Sequence, residues 1–142
     1  MFELVQIGAS EWKRNWSQDA HLVGFGEIRN PENERIDFAL VALNEDLPMG
    51  YITCRELDEQ TLYWKFGASF PETKGTIKTL QICEGAAKWS LARYNRVQVF
   101  IENENVAMLK LALRVGFRIT GIRNFDSKIL VEHTLLKGAK ND

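Results

Sequence analysis

The chain has 142 residues, 45% of them hydrophobic and 26% charged, which suits one globular domain over residues 1–142 with its own core. A formal net charge of −1, from 18 basic and 19 acidic residues, provides no global basic field and counts against nucleic acid as a partner. No run approaches about 18 consecutive apolar residues and no basic leader precedes an apolar stretch, so neither a membrane span nor a signal peptide is expected. Cys54 and Cys83 form no C-x-x-C pair and point to reduced thiols in a cytoplasmic protein, and His21 and His133 stand alone, which argues against a metal site.

In chain order, "FELVQI" predicts a first strand. "SEWKRNWSQDA" predicts a helix, with Ser10 placed to cap it and Trp12 and Trp16 four residues apart on one face. The glycine-rich "HLVGFGEIRNPENE" matches no period. "RIDFALVAL" alternates, with Ile36, Phe38, Leu40 and Ala42 on one face. "MGYITCREL" and "TLYWKFGAS" follow after the short turns "NEDLP" and "DEQ", which makes an antiparallel meander. A helix is predicted from Gly75 to Tyr94, its stripe formed by Leu80, Glu84, Ala87, Leu91 and Tyr94. "RVQVFIE" is a strand, "NENVAMLKLALRV" a helix stopped by Gly116, and "FRITGIR" and "KILVEHTLL" close the chain as a hairpin around "NFDS". The order β, α, βββ, α, β, α, ββ implies a mixed, mostly antiparallel sheet of about seven strands with helices on both faces. His133 falls on the side of Ile129, Val131 and Leu135, the position of a core histidine.

The passage "SFPETKGTIKTLQICEGAAKW" places Gly75 between Lys74 and Lys78 where a helix must begin. Gly75 there is either a strand-to-helix turn or the opening of an anion site at the helix's positive end. Farther on, "NENVAMLKLALRVGFRITG" joins Asn105, an amphipathic helix, Gly116-Phe117 and Gly121.

With that element order, the two motifs resemble the GCN5-related N-acetyltransferase (GNAT) superfamily, over about Phe2 to Leu136. The second motif fits well: Asn105, Gly116, Phe117 and Gly121 occupy the family's places. The first fits through Gly75, whereas Glu72 and Ile77 depart from the family's Gln/Arg and small residue. The resemblance implies a fourth and a fifth strand that splay apart and acetyl-CoA as cosubstrate, without a metal. Small residues Gly67, Ala68 and Ser69 would line the pantetheine, the Lys74, Gly75, Thr76, Ile77 and Lys78 segment would hold the pyrophosphate, and Asn105 would cap the helix or bond a ligand amide. The reaction implied is transfer of the acetyl group to a primary amine by direct attack in a ternary complex. An amine of pKa near 10.4 is neutral in only about one molecule per thousand at pH 7, so a carboxylate must take its proton.

Glu102, at the end of the fifth strand, is the first candidate base and Glu56 the second; each is also an ordinary sheet-end carboxylate. The family's usual helix tyrosine falls on Ala112, which leaves Tyr63 or Tyr51 as alternative proton donors, or a module that binds acyl-CoA with little turnover. The acceptor is undefined, and the apolar last strand makes a homodimer credible.

Overall fold

The computed structural model describes residues 2–16, 35–70 and 77–138. "HLVGFGEIRNPENE" therefore lies outside the described residues, as do Glu72, Lys74, Gly75 and Thr76. Among them are seven strands: β1 (Glu3–Gly8), β2 (Phe38–Asn44), β3 (Leu47–Glu56), β4 (Thr61–Ser69), β5 (Arg96–Glu102), β6 (Arg118–Phe125) and β7 (Lys128–Leu136). A short helix α1 (Ala9–Glu11) continues as a π-helical turn, Trp12–Trp16; α2 spans Ile77–Leu91 and α3 spans Val106–Val115.

The strands form one mixed sheet in the order β1-β2-β3-β4-β5-β7-β6. Only the β4–β5 pair is parallel, because α2 carries the chain back over the sheet between those strands. All three predicted hairpins are present, β2–β3, β3–β4 and β6–β7. Glu45 and Asp46, then Asp126 and Ser127, take positive φ in pairs, the geometry of a tight turn whose twist matches its strands.

The core is double-sided. On one face α2 and α3 bury Phe38, Leu40, Ile52, Cys54, Leu62, Trp64, Val97 and Leu135 beneath Ala86, Ala87 and Ala112. On the other, Trp12 packs with Ile7, Ala39, Val41 and Tyr51, its ring 5.1 Å from that of Tyr51. Strand β2 is therefore buried on both faces rather than one, and Ile36, which precedes it, joins the Trp12 cluster instead of the Phe38 face. Residue Ser10 lies inside α1, whose N-cap is Gly8, so it caps nothing. In α2 the buried residues are Ile82, Ala86, Ala87 and Ser90; of the predicted stripe Ala87 is buried and Leu91 and Tyr94 pack against the core, whereas Glu84 is exposed. Ser90 Oγ donates to Ala86 O (2.7 Å) and accepts the Trp64 indole N–H (3.2 Å), which ties the small-residue side of the helix to the sheet.

The second motif folds as its residues dictate. Asn105 Oδ1 accepts from the Met108 amide (3.3 Å) at the start of α3. Gly116 ends the helix in the left-handed region (φ 118°), and Phe117 N–H returns to Ala112 O (3.0 Å). That turn delivers Phe117 into the core, 5.4 Å from the Trp64 ring.

Candidate functional site

Strands β4 and β5 pair over four residues only, Thr61–Trp64 against Arg96–Val99. Beyond Trp64, β4 continues for five residues to Ser69 paired, among the described residues, with β3 alone, while Phe100–Glu102 of β5 continue against β7. The strands thus part into a fork along roughly 16 Å of β4. The cause is local: the β3–β4 register shifts between Thr53–Phe66 and Cys54–Trp64, leaving Lys65 as an extra residue. Such a bulge bends its strand and increases its twist, and it falls where pairing with β5 stops.

The fork exposes backbone. Phe70 N–H donates to Met49 O (3.0 Å), so by strand alternation Ala68 also faces β3, while the amides and carbonyls of Gly67 and Ser69 face the gap. Two of the three small residues predicted to line a ligand therefore turn main-chain polar groups toward the gap. Gly67 has a second reason to be glycine: a Cβ there would lie 3.3 Å from Tyr51 O and 3.4 Å from Ile52 Cγ1. Ile77 and Lys78 form the exposed first turn of α2, following the undescribed 71–76 segment. Asn105 caps α3, as above.

The predicted carboxylates separate. Glu102 ends β5 at the open tip of the fork, where its carboxylate pairs with Lys128 Nζ (3.1 Å). Glu56 is at the opposite, closed end of the sheet, paired in register with Leu62, and its Oε1 accepts from Tyr94 Oη (2.8 Å). It does not border the fork. Sequence reasoning missed a third carboxylate, Glu132 on β7. It stands beside Phe100, half-buried, with Oε1 accepting from Thr120 Oγ1 (2.7 Å) and resting 3.7 Å from the Cβ position of Gly121. Alternation puts Glu132 on the same face as Phe100 and Glu102, a placement that needs the β5–β7 register and could not be read from one strand.

That face also holds Tyr63, at the base of the fork. Its ring meets Phe100 edge-on at 5.8 Å, and burial raises its phenol above the ordinary range, opposed by the nearby Arg123 and Arg55. A neutral phenol at pH 7 remains able to donate a proton. Tyr51, by contrast, is buried between Trp12 and Phe70. Ala112 is in the core under α3. Burial pushes the Cys54 thiol far up, with Asp37 adding to it, and pushes Cys83 up to about 11, with Glu84 adding to it. Neither cysteine supplies a ready thiolate. His133 is fully buried with Nδ1 3.1 Å from Val131 O, and its Nε2 has no partner among the described residues.

A seven-stranded sheet with β7 inserted beside β5, a β4/β5 fork and helices on both faces defines an architecture. The chain has the GNAT fold. Among solved structures it is similar to a GNAT family acetyltransferase from Elizabethkingia anophelis with acetyl-CoA bound (TM-score 0.76, 14% identity, 95% of this chain and 97% of that one). It is similar as well to the ribosomal-protein-S18-alanine N-acetyltransferase from Escherichia coli (TM-score 0.77, 8% identity, 100% and 97%). A third is a GNAT-family acetyltransferase from Streptococcus pneumoniae (TM-score 0.72, 12% identity, 97% and 100%). No family model and no curated protein matches the sequence. This GNAT sheet contains, among the described residues, no cluster of three or more metal-ligating side chains and no helix long and apolar enough to cross a membrane.

Proposed function

We propose that the chain is an acetyl-CoA-dependent N-acyltransferase that moves the acetyl group to a primary amine by direct attack. The observation that carries this reading is the fork: Gly67 and Ser69 direct main-chain groups toward a gap where, among the described residues, no strand pairs with them. A thioester carbonyl laid along that edge would meet fixed N–H donors, and one such donor aimed at the developing oxyanion contributes about 3–4 kcal/mol. The neighbour with acetyl-CoA bound supports the choice of cosubstrate. The raised thiols of Cys54 and Cys83 favour direct attack over a cysteine-bound acyl intermediate.

Tyr63 is the phenol nearest the fork base and is assigned protonation of the departing thiolate. Glu102 remains the assigned base, reached through water; its carboxylate pairs with Lys128 Nζ (3.1 Å) at the fork's tip. A second reading, an acyl-CoA-binding module with little turnover, is favoured by Ala112, which places an apolar core residue where a helix donor would stand.

Thermal shift with acetyl-CoA, followed by thiol release across an amine panel, tests the proposal. Stabilisation plus amine-dependent release is expected. Stabilisation without release on every amine selects the module, and no stabilisation refutes both.

A further inference from the structure

The face of the sheet around Tyr63 and Phe100 carries two arginines, Arg55 and Arg123, that make no ion pair among the described residues. Arg123, on β6, lies across β7 with its guanidinium carbon 4.8 Å from the centre of the Phe100 ring. Stacking on a ring fixes the guanidinium plane and leaves the N–H edge free. No described residue takes a hydrogen bond or an ion pair from that edge. The two acids on the same face are engaged elsewhere, Glu102 with Lys128 (3.1 Å) and Glu132 with Thr120 (2.7 Å). On the other side of Tyr63, Arg55 pairs with it in register from β3, exposed and without an ion pair among the described residues. Two guanidinium groups therefore bracket two aromatic rings set edge to face, at the base of the fork.

We infer that this face is the acceptor subsite and that it selects amines carrying an oxyanion group, which Arg123 binds while Tyr63 and Phe100 support the rest of the molecule. The inference rests on the acyltransferase reading. A planar fork with two parallel donors matches a carboxylate or a phosphate, and a balanced net charge elsewhere does not blur a local cationic pair. A cationic polyamine would face Arg55 and Arg123 with like charge.

The test compares matched acceptors: α-amino acids against their amides, and phosphoethanolamine against ethanolamine. Wild-type protein should prefer the anionic member of a pair by about 10- to 100-fold in kcat/KM, the range for a charged hydrogen-bonded contact. The amino-acid and phosphoethanolamine arms show which oxyanion is preferred. Arg123→Met should collapse the ratio toward one through KM, and Arg123→Glu should invert it. A ratio near one in wild type, or a ratio unmoved by Arg123→Met, overturns the inference. Equilibrium binding of the same acceptors, followed by NMR of the Tyr63 ring in wild type and Arg123→Met, keeps the result separate from turnover. Anion-selective binding lost in Arg123→Met upholds the subsite even if no thiol is released, and absence of anion-selective binding across the panel rejects it. Acetyl-CoA binding, measured by calorimetry, reports on the acyltransferase reading alone.

Discussion

Replacing Ser90 by alanine probes the joint at which β4 is fixed before it leaves β5. The Ser90 hydroxyl is fully buried, accepts the Trp64 indole N–H (3.2 Å) and donates to Ala86 O (2.7 Å). Its removal leaves a buried indole N–H with no acceptor, a loss of about 1–3 kcal/mol. The gain in helix propensity from serine to alanine returns about 0.5 kcal/mol, so a net loss of about 1–2 kcal/mol is expected. For a chain of 142 residues this lowers Tm by roughly 3–7 °C. Trp64→Phe alone shrinks the core but orphans nothing, since Ser90 still donates to Ala86 O. In the Trp64→Phe background, Ser90→Ala should then be nearly neutral, a coupling of about 1–2 kcal/mol in urea unfolding followed by circular dichroism. Equal costs of Ser90→Ala in the two backgrounds would refute the hydrogen bond as a tie between α2 and β4.

The amides of Gly67 and Ser69 should exchange with deuterium far faster than those of Leu62 and Trp64, and slow at least tenfold with saturating acetyl-CoA; protection in the free protein would mean the fork is closed. Cys83, pushed up to about 11 from 9.0, should carry roughly a hundredfold less thiolate than an ordinary thiol and react correspondingly slowly with iodoacetamide at neutral pH; rapid native-state alkylation would contradict its burial. Burial, then the bond to Glu56, raises the Tyr94 phenol, so its contribution is intact below the unfolded value near pH 10 and is lost as pH rises further; Tyr94→Phe should flatten the alkaline limb of the stability curve, and an unchanged slope would sink the assignment.

Local rules made much of this protein legible. The alternation in "MGYITCREL" and "TLYWKFGAS" follows from side chains pointing to opposite faces at each step, and Asn105, Gly116 and Phe117 state where α3 begins, where it ends and what enters the next strand. Those signals are local because hydrogen bonding over three or four residues decides them. Burial of β2 on both faces was not legible, because it depends on Trp12 approaching from one side and α2 from the other. Nor was the burial of Ser90 in α2, whose hydroxyl meets the indole of the distant Trp64.

The site divides along the same line. Small residues at Gly67 and Ser69 advertised close backbone approach, yet the opening itself depends on Lys65 bulging against β3, an event of register between strands. Likewise Arg123, Phe100 and Tyr63 are separated along the chain and share a face only because β7 inserts between β5 and β6. Sequence by itself determined the elements, their order and the helix ends, since neighbouring residues fix backbone conformation. Tertiary structure decided where the strands part and which side chains meet across them, since register and insertion order join residues that the chain keeps far apart.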